Sequence, residues 1–147
     1  MKYKLSILFL FVVLIFSQCN QNKKISEEQQ IDWVLNNDNW VLSDWVADSI
    51  SVLTTSEKPI TLDFDQENKK ISGNAGCNQY FGTYTLDNEN LKAGPMGSTM
   101  MFCTEEIMQQ EQQFLALLEA GMEISKKYDL LILRNDNNQL TFKPIQK

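Results

Sequence analysis

The chain has 147 residues, with 13 Lys and Arg against 19 Asp and Glu, and it has no histidine. A net charge of −6 disfavours nucleic acid and anionic lipid surfaces as partners, because both are held by clustered Lys and Arg. The missing imidazole excludes Ser-His and Cys-His nucleophile activation, His proton shuttles and every zinc site that uses His.

The first segment reads as a targeting signal. Lys2 and Lys4 precede an almost wholly apolar run over 5–16, shorter than the roughly 20 residues that span a bilayer as a helix. Phe16-Ser17-Gln18-Cys19 follows, and then a polar run over 20–30. This order resembles a bacterial lipoprotein signal, in which residues 1–18 are removed and Cys19 becomes the lipid-bearing mature N-terminus. Ser17 fits that pattern, whereas Phe16 and Gln18 depart from it. The small-residue pattern of an ordinary secretory cleavage site is lacking, which favours the lipoprotein reading over its alternative, a soluble periplasmic product. A cysteine bearing several acyl chains anchors firmly in a membrane, and the lack of an Asp after Cys19 implies, by the same resemblance to lipoprotein sorting signals, the outer membrane rather than the inner. Loss of Lys2 and Lys4 leaves 11 basic groups against 19 acidic ones, a net charge of −8.

Residues 19–38 form a polar tether, because such composition buries too little apolar surface to order itself alone. Within it, Ser26-Glu27-Glu28-Gln29 has capping-box spacing, and Ile31, Val34 and Leu35 share a helical face. A short docking helix and a partly ordered linker both satisfy this pattern. The domain occupies 39–147 and opens with Trp40 and Leu42, which alternate as a first strand requires. A loop or irregular strand over 49–57 leads to Pro59. Ile60, Leu62 and Phe64 then alternate with Thr61, Asp63 and Asp65 as in a half-buried strand.

Polar clusters at 65–68, 87–90 and 135–138 read as hairpin turns, since Asn and Asp tolerate left-handed backbone and bond locally. They pair 60–64 with 70–74, 80–86 with 91–94, and 130–134 with 140–142. One helix interrupts the strands: Thr104 caps it, Glu105 and Glu106 suit its positive end, Ile107, Phe114, Leu115 and Leu118 face the core, and Gly121 stops it. The fold class is α+β, mainly antiparallel β with one packed helix.

The block Gly73-Asn74-Ala75-Gly76-Cys77-Asn78-Gln79-Tyr80-Phe81-Gly82 holds three glycines and no charge. It suits tight backbone geometry, with Tyr80 and Phe81 supplying buried area, and it lacks the Gly-Lys-Ser/Thr ending of a phosphate loop. Beyond Cys19, the pair Cys77 and Cys103 is expected to form a disulfide if the chain is exported; two buried free thiols are the plain alternative. A redox cysteine needs a base, a cation or a C-x-x-C partner to lower its pKa, and the sequence offers only the position of Cys103 just before a helix. Asp63, Asp65 and Glu67 alternate without the glycine and distal glutamate of a calcium loop, so they read as a solvated hairpin face. Glu105 and Glu106 read as a helix start rather than a catalytic pair. Trp40, Trp45, Tyr80, Phe81 and Tyr84 read as core, with a binding cleft as the alternative.

Taken together, Trp40-Val41-Leu42, the block from Gly73 to Tyr84, Gly94-Pro95-Met96-Gly97-Ser98-Thr99-Met100-Met101-Phe102-Cys103, the helix with Phe114-Leu115, and Leu140-Thr141-Phe142-Lys143-Pro144 resemble the META domain family, that of the heat-inducible HslJ. The resemblance covers about residues 39–145. It implies a compact β-rich fold with an intervening helix, found in envelope proteins and lipoproteins and associated with stress and antibiotic tolerance, with no established catalytic residue and no cofactor. The expected function is therefore a non-catalytic envelope module that binds an envelope protein or a small ligand, or serves stress tolerance. A thiol-disulfide protein using Cys77 and Cys103, and a small inhibitor of an extracellular enzyme, are the rivals.

Overall fold

A computed structural model of the chain describes residues 31–36, 39–52 and 58–145. The signal over 1–18, the lipid-attachment residue Cys19, the capping box at Ser26 and part of the 49–57 loop lie outside the described residues. In chain order the elements are β1 (Trp40–Ala47), β2 (Ile50–Ser51), β3 (Thr61–Asp65), β4 (Lys70–Asn74), β5 (Gln79–Asp87), β6 (Asn90–Ala93), β7 (Gly97–Ser98), α1 (Glu105–Ala120), β8 (Met122–Lys127), β9 (Leu130–Arg134) and β10 (Asn138–Pro144).

The mainly antiparallel β character with one long helix is as expected, and the sheet is in addition closed. Neighbours run β10-β9-β8-β6-β5-β4-β3-β1, and β1 pairs back onto β10 from Trp40↔Pro144 to Ala47↔Asn138, with a register shift between Leu42 and Asp44. Eight strands thus form an antiparallel barrel, to which β2 and β7 add short pairings on β1 and β5. Closure removes the exposed edges that an open sheet would carry. The expected hairpins 60–64 with 70–74 and 130–134 with 140–142 are present as β3–β4 and β9–β10. The third is corrected: only the far half of β5, from Tyr84 to Asp87, pairs with β6, while its first half pairs with β4 and β7. A nine-residue strand is long enough to serve different neighbours along its length. Strand β8 bridges β6 to β9 and completes the ring.

Alternation puts Leu62, Ile71, Tyr84, Leu91, Leu133 and Phe142 inside. The two ends are covered by different elements. Near the far end of β1, Phe114 of α1 packs edge-on to Trp45 at 6.4 Å and Tyr80 at 5.6 Å between ring centres. At the start of β1, the helical residues 31–36 bury Val34 and Leu35, and the Trp40 indole N–H donates to the Val34 carbonyl at 3.2 Å. Trp33 meets Trp40 edge-on at 5.9 Å, and the Lys126 ammonium lies 3.6 Å from the centre of the Trp33 ring.

Helix α1 ends at Gly121, whose φ of 104° suits a residue without Cβ. Its start differs from expectation. Thr104 occupies the capping position but its hydroxyl makes no capping bond; its carbonyl accepts the Met108 N–H at 3.0 Å. Phe114 and Leu118 are buried and Ile107 and Leu115 half-buried, and Gln110 and Glu111 are buried with them.

Close approach decides Gly73. A Cβ there would lie 2.1 Å from the Thr61 carbonyl oxygen, in the strand next to β4. Gly73→Ala therefore forces β3 and β4 apart, with an expected loss of about 1–3 kcal/mol of stability by urea unfolding. Unchanged stability would show that the strands separate freely here. Tyr80, which donates from its hydroxyl to the same Thr61 carbonyl at 2.8 Å, has its pKa raised well above 10.0 by burial, with Asp63 adding to the shift. Burial favours the neutral phenol, so this contribution is complete below the unfolded phenol's pKa and is lost as pH rises above about 10. Unfolding followed across that range is expected to show a fall in stability that Tyr80→Phe reduces.

Candidate functional site

The central block and the loop after β7 build one structure. Cys77 and Cys103 form a disulfide across a sequence separation of 26. Cys77 is fully buried, and Cys103 closes the loop just before α1.

Between the two cysteines, Asn78 serves as a clamp. Its backbone N–H donates to Glu111 Oε2 at 2.7 Å and its side-chain Nδ2 to Glu111 Oε1 at 2.9 Å. Nδ2 also donates to the Met101 carbonyl at 3.3 Å, while Oδ1 accepts the Met101 N–H at 2.7 Å and the Thr99 hydroxyl at 2.9 Å. Thr99 in turn bonds the Gln79 backbone twice: its N–H donates to the Gln79 carbonyl at 3.0 Å, and its hydroxyl accepts the Gln79 N–H at 3.1 Å. Farther back, the Met96 N–H donates to Glu119 at 3.1 Å. Asn78 and Glu111 are 4% and 8% exposed, so these polar groups are satisfied by one another rather than by water.

What the clamp holds is apolar and solvent-exposed. Met100 is 96% exposed and Phe102 94%, with Met101 at 45% between them. Phe81, expected in the core, is 62% exposed instead. Alternation along β5 explains the correction: Tyr80 and Tyr84 point inward, so Phe81 points out, and its ring lies across Gly97, where an added Cβ would come within 2.7 Å of it. Beside Phe81 opens a shallow cleft of about 400 Å³ lined by Asp63, Ser72, Asn74 and Gln79.

The other candidate residues take structural places. Trp40, Trp45, Tyr80 and Tyr84 are buried. Asp65 accepts the Asn68 backbone and side-chain N–H groups at 3.0 and 2.8 Å, bonds that hold its carboxyl below the usual range. Glu105 and Glu106 occupy the first turn of α1, where Glu105 accepts the Gln109 side chain at 3.1 Å. Asn78, Thr99, Glu111, Met100 and Phe102 were not expected as a site. One signal was available: Glu111 falls four residues after Ile107 and three before Phe114, on the apolar stripe where an acid needs a partner.

Asn78→Ala removes one donor from a buried carboxylate and the acceptor used by Met101 and Thr99. The expected cost is about 2–3 kcal/mol, with faster amide exchange at 99–103 than in the barrel. Equal exchange in variant and parent would show that the loop is held without the clamp.

An NMR structure of a protein from Burkholderia xenovorans is 30% identical, with a TM-score of 0.65 over 78% of this chain and 86% of that one. A second NMR structure is 23% identical, with a TM-score of 0.61 over 76% of this chain and 92% of that one. A crystal structure of a DUF4847 family protein from Bacteroides vulgatus shares the fold at 9% identity, with a TM-score of 0.55 over 80% of this chain and 99% of that one. No curated protein matches. The META domain model matches residues 33–147, a span that takes in the barrel, α1, the disulfide-linked loop and most of the docked segment. The chain belongs to the META domain family.

Proposed function

We propose that this protein is a non-catalytic lipoprotein of the cell envelope, anchored through Cys19 in the outer membrane, whose META domain binds a partner through the loop 96–103. The observation that carries the binding reading is the pairing of a fixed backbone with exposed apolar side chains. Asn78, Glu111 and the disulfide restrain a loop whose tip holds Met100 and Phe102 in water. Exposed apolar groups on a rigid support mark interaction sites, because the ordering cost of binding is already met in the free protein. Export is supported by the basic start, the apolar run over 5–16 and Cys19, and a disulfide suits an oxidising compartment. A role in envelope stress tolerance rests on the family resemblance.

The experiment has two parts. Mass spectrometry of the protein from envelope fractions is expected to find Cys19 N-terminal and acylated; a free N-terminus at another residue would leave a soluble periplasmic form. A photo-reactive group at position 100 is expected to crosslink a partner in intact envelopes, and Phe102→Ser to abolish the crosslink while the melting temperature stays unchanged. No crosslink under any growth or stress condition would sink the binding reading.

A further inference from the structure

The chemistry around the loop selects one kind of partner. Between Lys92 and Lys126 the chain carries no basic residue, and it places Glu105, Glu106, Glu111, Glu119 and Glu123 there. Glu105 and Glu106 are exposed and follow Phe102 within four residues. The cleft next to Phe81 has Asp63 in its lining and no Lys or Arg. The exposed apolar tip is therefore followed directly by two exposed carboxylates, on a chain whose mature charge is −8.

Methionine contributes a further property. Met96, Met100, Met101 and Met108 fall within 13 residues of sequence, and unbranched, polarisable thioethers adapt to varied apolar shapes. A surface that is methionine-rich at its centre and acidic at its rim is complementary to a segment that is apolar on one face and cationic on the other. An anionic lipid headgroup or an acidic peptide meets repulsion at the same place.

We infer that the loop 96–103, with Phe81 and its cleft, binds cationic amphipathic peptide segments: the apolar face seats on Met100, Met101 and Phe102, and the basic groups meet Glu105 and Glu106. This inference rests on the binding reading above and names the partner class for the same surface. No covalent step is involved. Phe102 and Met100 supply the anchor, and the carboxylates set the association rate and the salt dependence.

The test uses the mature domain and a Leu/Lys peptide patterned as an amphipathic helix of about four turns, with a Leu/Glu peptide of the same pattern as control. The Leu/Lys peptide is expected to bind with amide shifts centred on 99–103 and Phe81, and the Leu/Glu peptide to bind at least about tenfold more weakly. Met100→Ser with Phe102→Ser is expected to weaken binding about tenfold or more, and Glu105→Gln with Glu106→Gln to slow association and flatten its salt dependence. Both variants alter exposed side chains, so unchanged melting temperatures confirm that folding is intact. Binding undiminished by the Met100 and Phe102 changes would reduce the effect to general charge attraction and overturn the inference. So would equal binding of the Leu/Glu peptide, or absence of Leu/Lys binding. If the Leu/Lys peptide fails while position 100 still crosslinks a partner in envelopes, the partner class falls and the binding reading stands. If both fail, both fall.

Discussion

Phe114→Ala is expected to lower the stability of the domain by about 3–5 kcal/mol, the range for emptying a fully buried aromatic site. Phe114 has no exposed surface and is where α1 enters the end of the barrel. Its ring touches Trp45 of β1 and Tyr80 of β5 edge-on, so truncation removes two aromatic pairs as well as the transfer term. The neighbours cannot close the gap easily, because Trp45 is tied through its indole N–H to Asn138 at 3.1 Å and Tyr80 through its hydroxyl to Thr61 at 2.8 Å. Urea unfolding measures the loss, and Phe114→Leu should recover much of it. A cost below about 1 kcal/mol would mean that the helix lies on the barrel without supporting it.

Replacing both cysteines, Cys77→Ala with Cys103→Ala, is expected to cost about 3.5 kcal/mol, the chain-entropy figure for a loop of this length. The separation of 26 residues spans the second half of the central block, β5, β6, β7 and the exposed loop. In a domain of this size such a loss lowers the melting temperature by roughly 10–20 °C. The effect also has a place. With the bridge gone, the segment 99–103 is held by the bonds from Asn78 and Gln79, so its amides should exchange faster before the barrel unfolds. Equal stability of the double variant and the oxidised parent would show that the loop is already closed in the unfolded chain by other means. A stable thiol protein with activity only when reduced would instead favour the redox rival.

Local pattern carried most of the strands. The alternation of Ile60, Leu62 and Phe64 and the Asn- and Asp-rich turns located β3–β4 and β9–β10, because period and turn chemistry act over a few residues. Closure was not legible: Trp40 and Pro144 lie at opposite ends of the domain, and nothing in either segment specifies the other's register. Strand β8 is faint in sequence because Met122 and Ile124 give only two apolar alternations before Lys126 and Lys127. Phe81 lies outside although Tyr80 beside it lies inside, because the period of β5 sends adjacent residues to opposite faces. The clamp was hidden for the same reason as the closure. Asn78 and Glu111 are 33 residues apart, and although Glu111 on the apolar stripe of α1 calls for a partner, nothing near it in sequence names Asn78.

The docked helical residues 31–36 also determine how the domain responds to tension. A pull on the chain ahead of residue 31 reaches the barrel first through this segment, held by Val34, Leu35 and the Lys126–Trp33 contact. Behind it stands β1, which is held along its whole length by its pairing with β10. The short segment is the part that yields. Its release would lengthen the lead by roughly 10 Å, since six residues span about 9 Å as a helix and about 20 Å when extended, while the barrel remains whole. The domain thus has a compliant element in series with a stiff one.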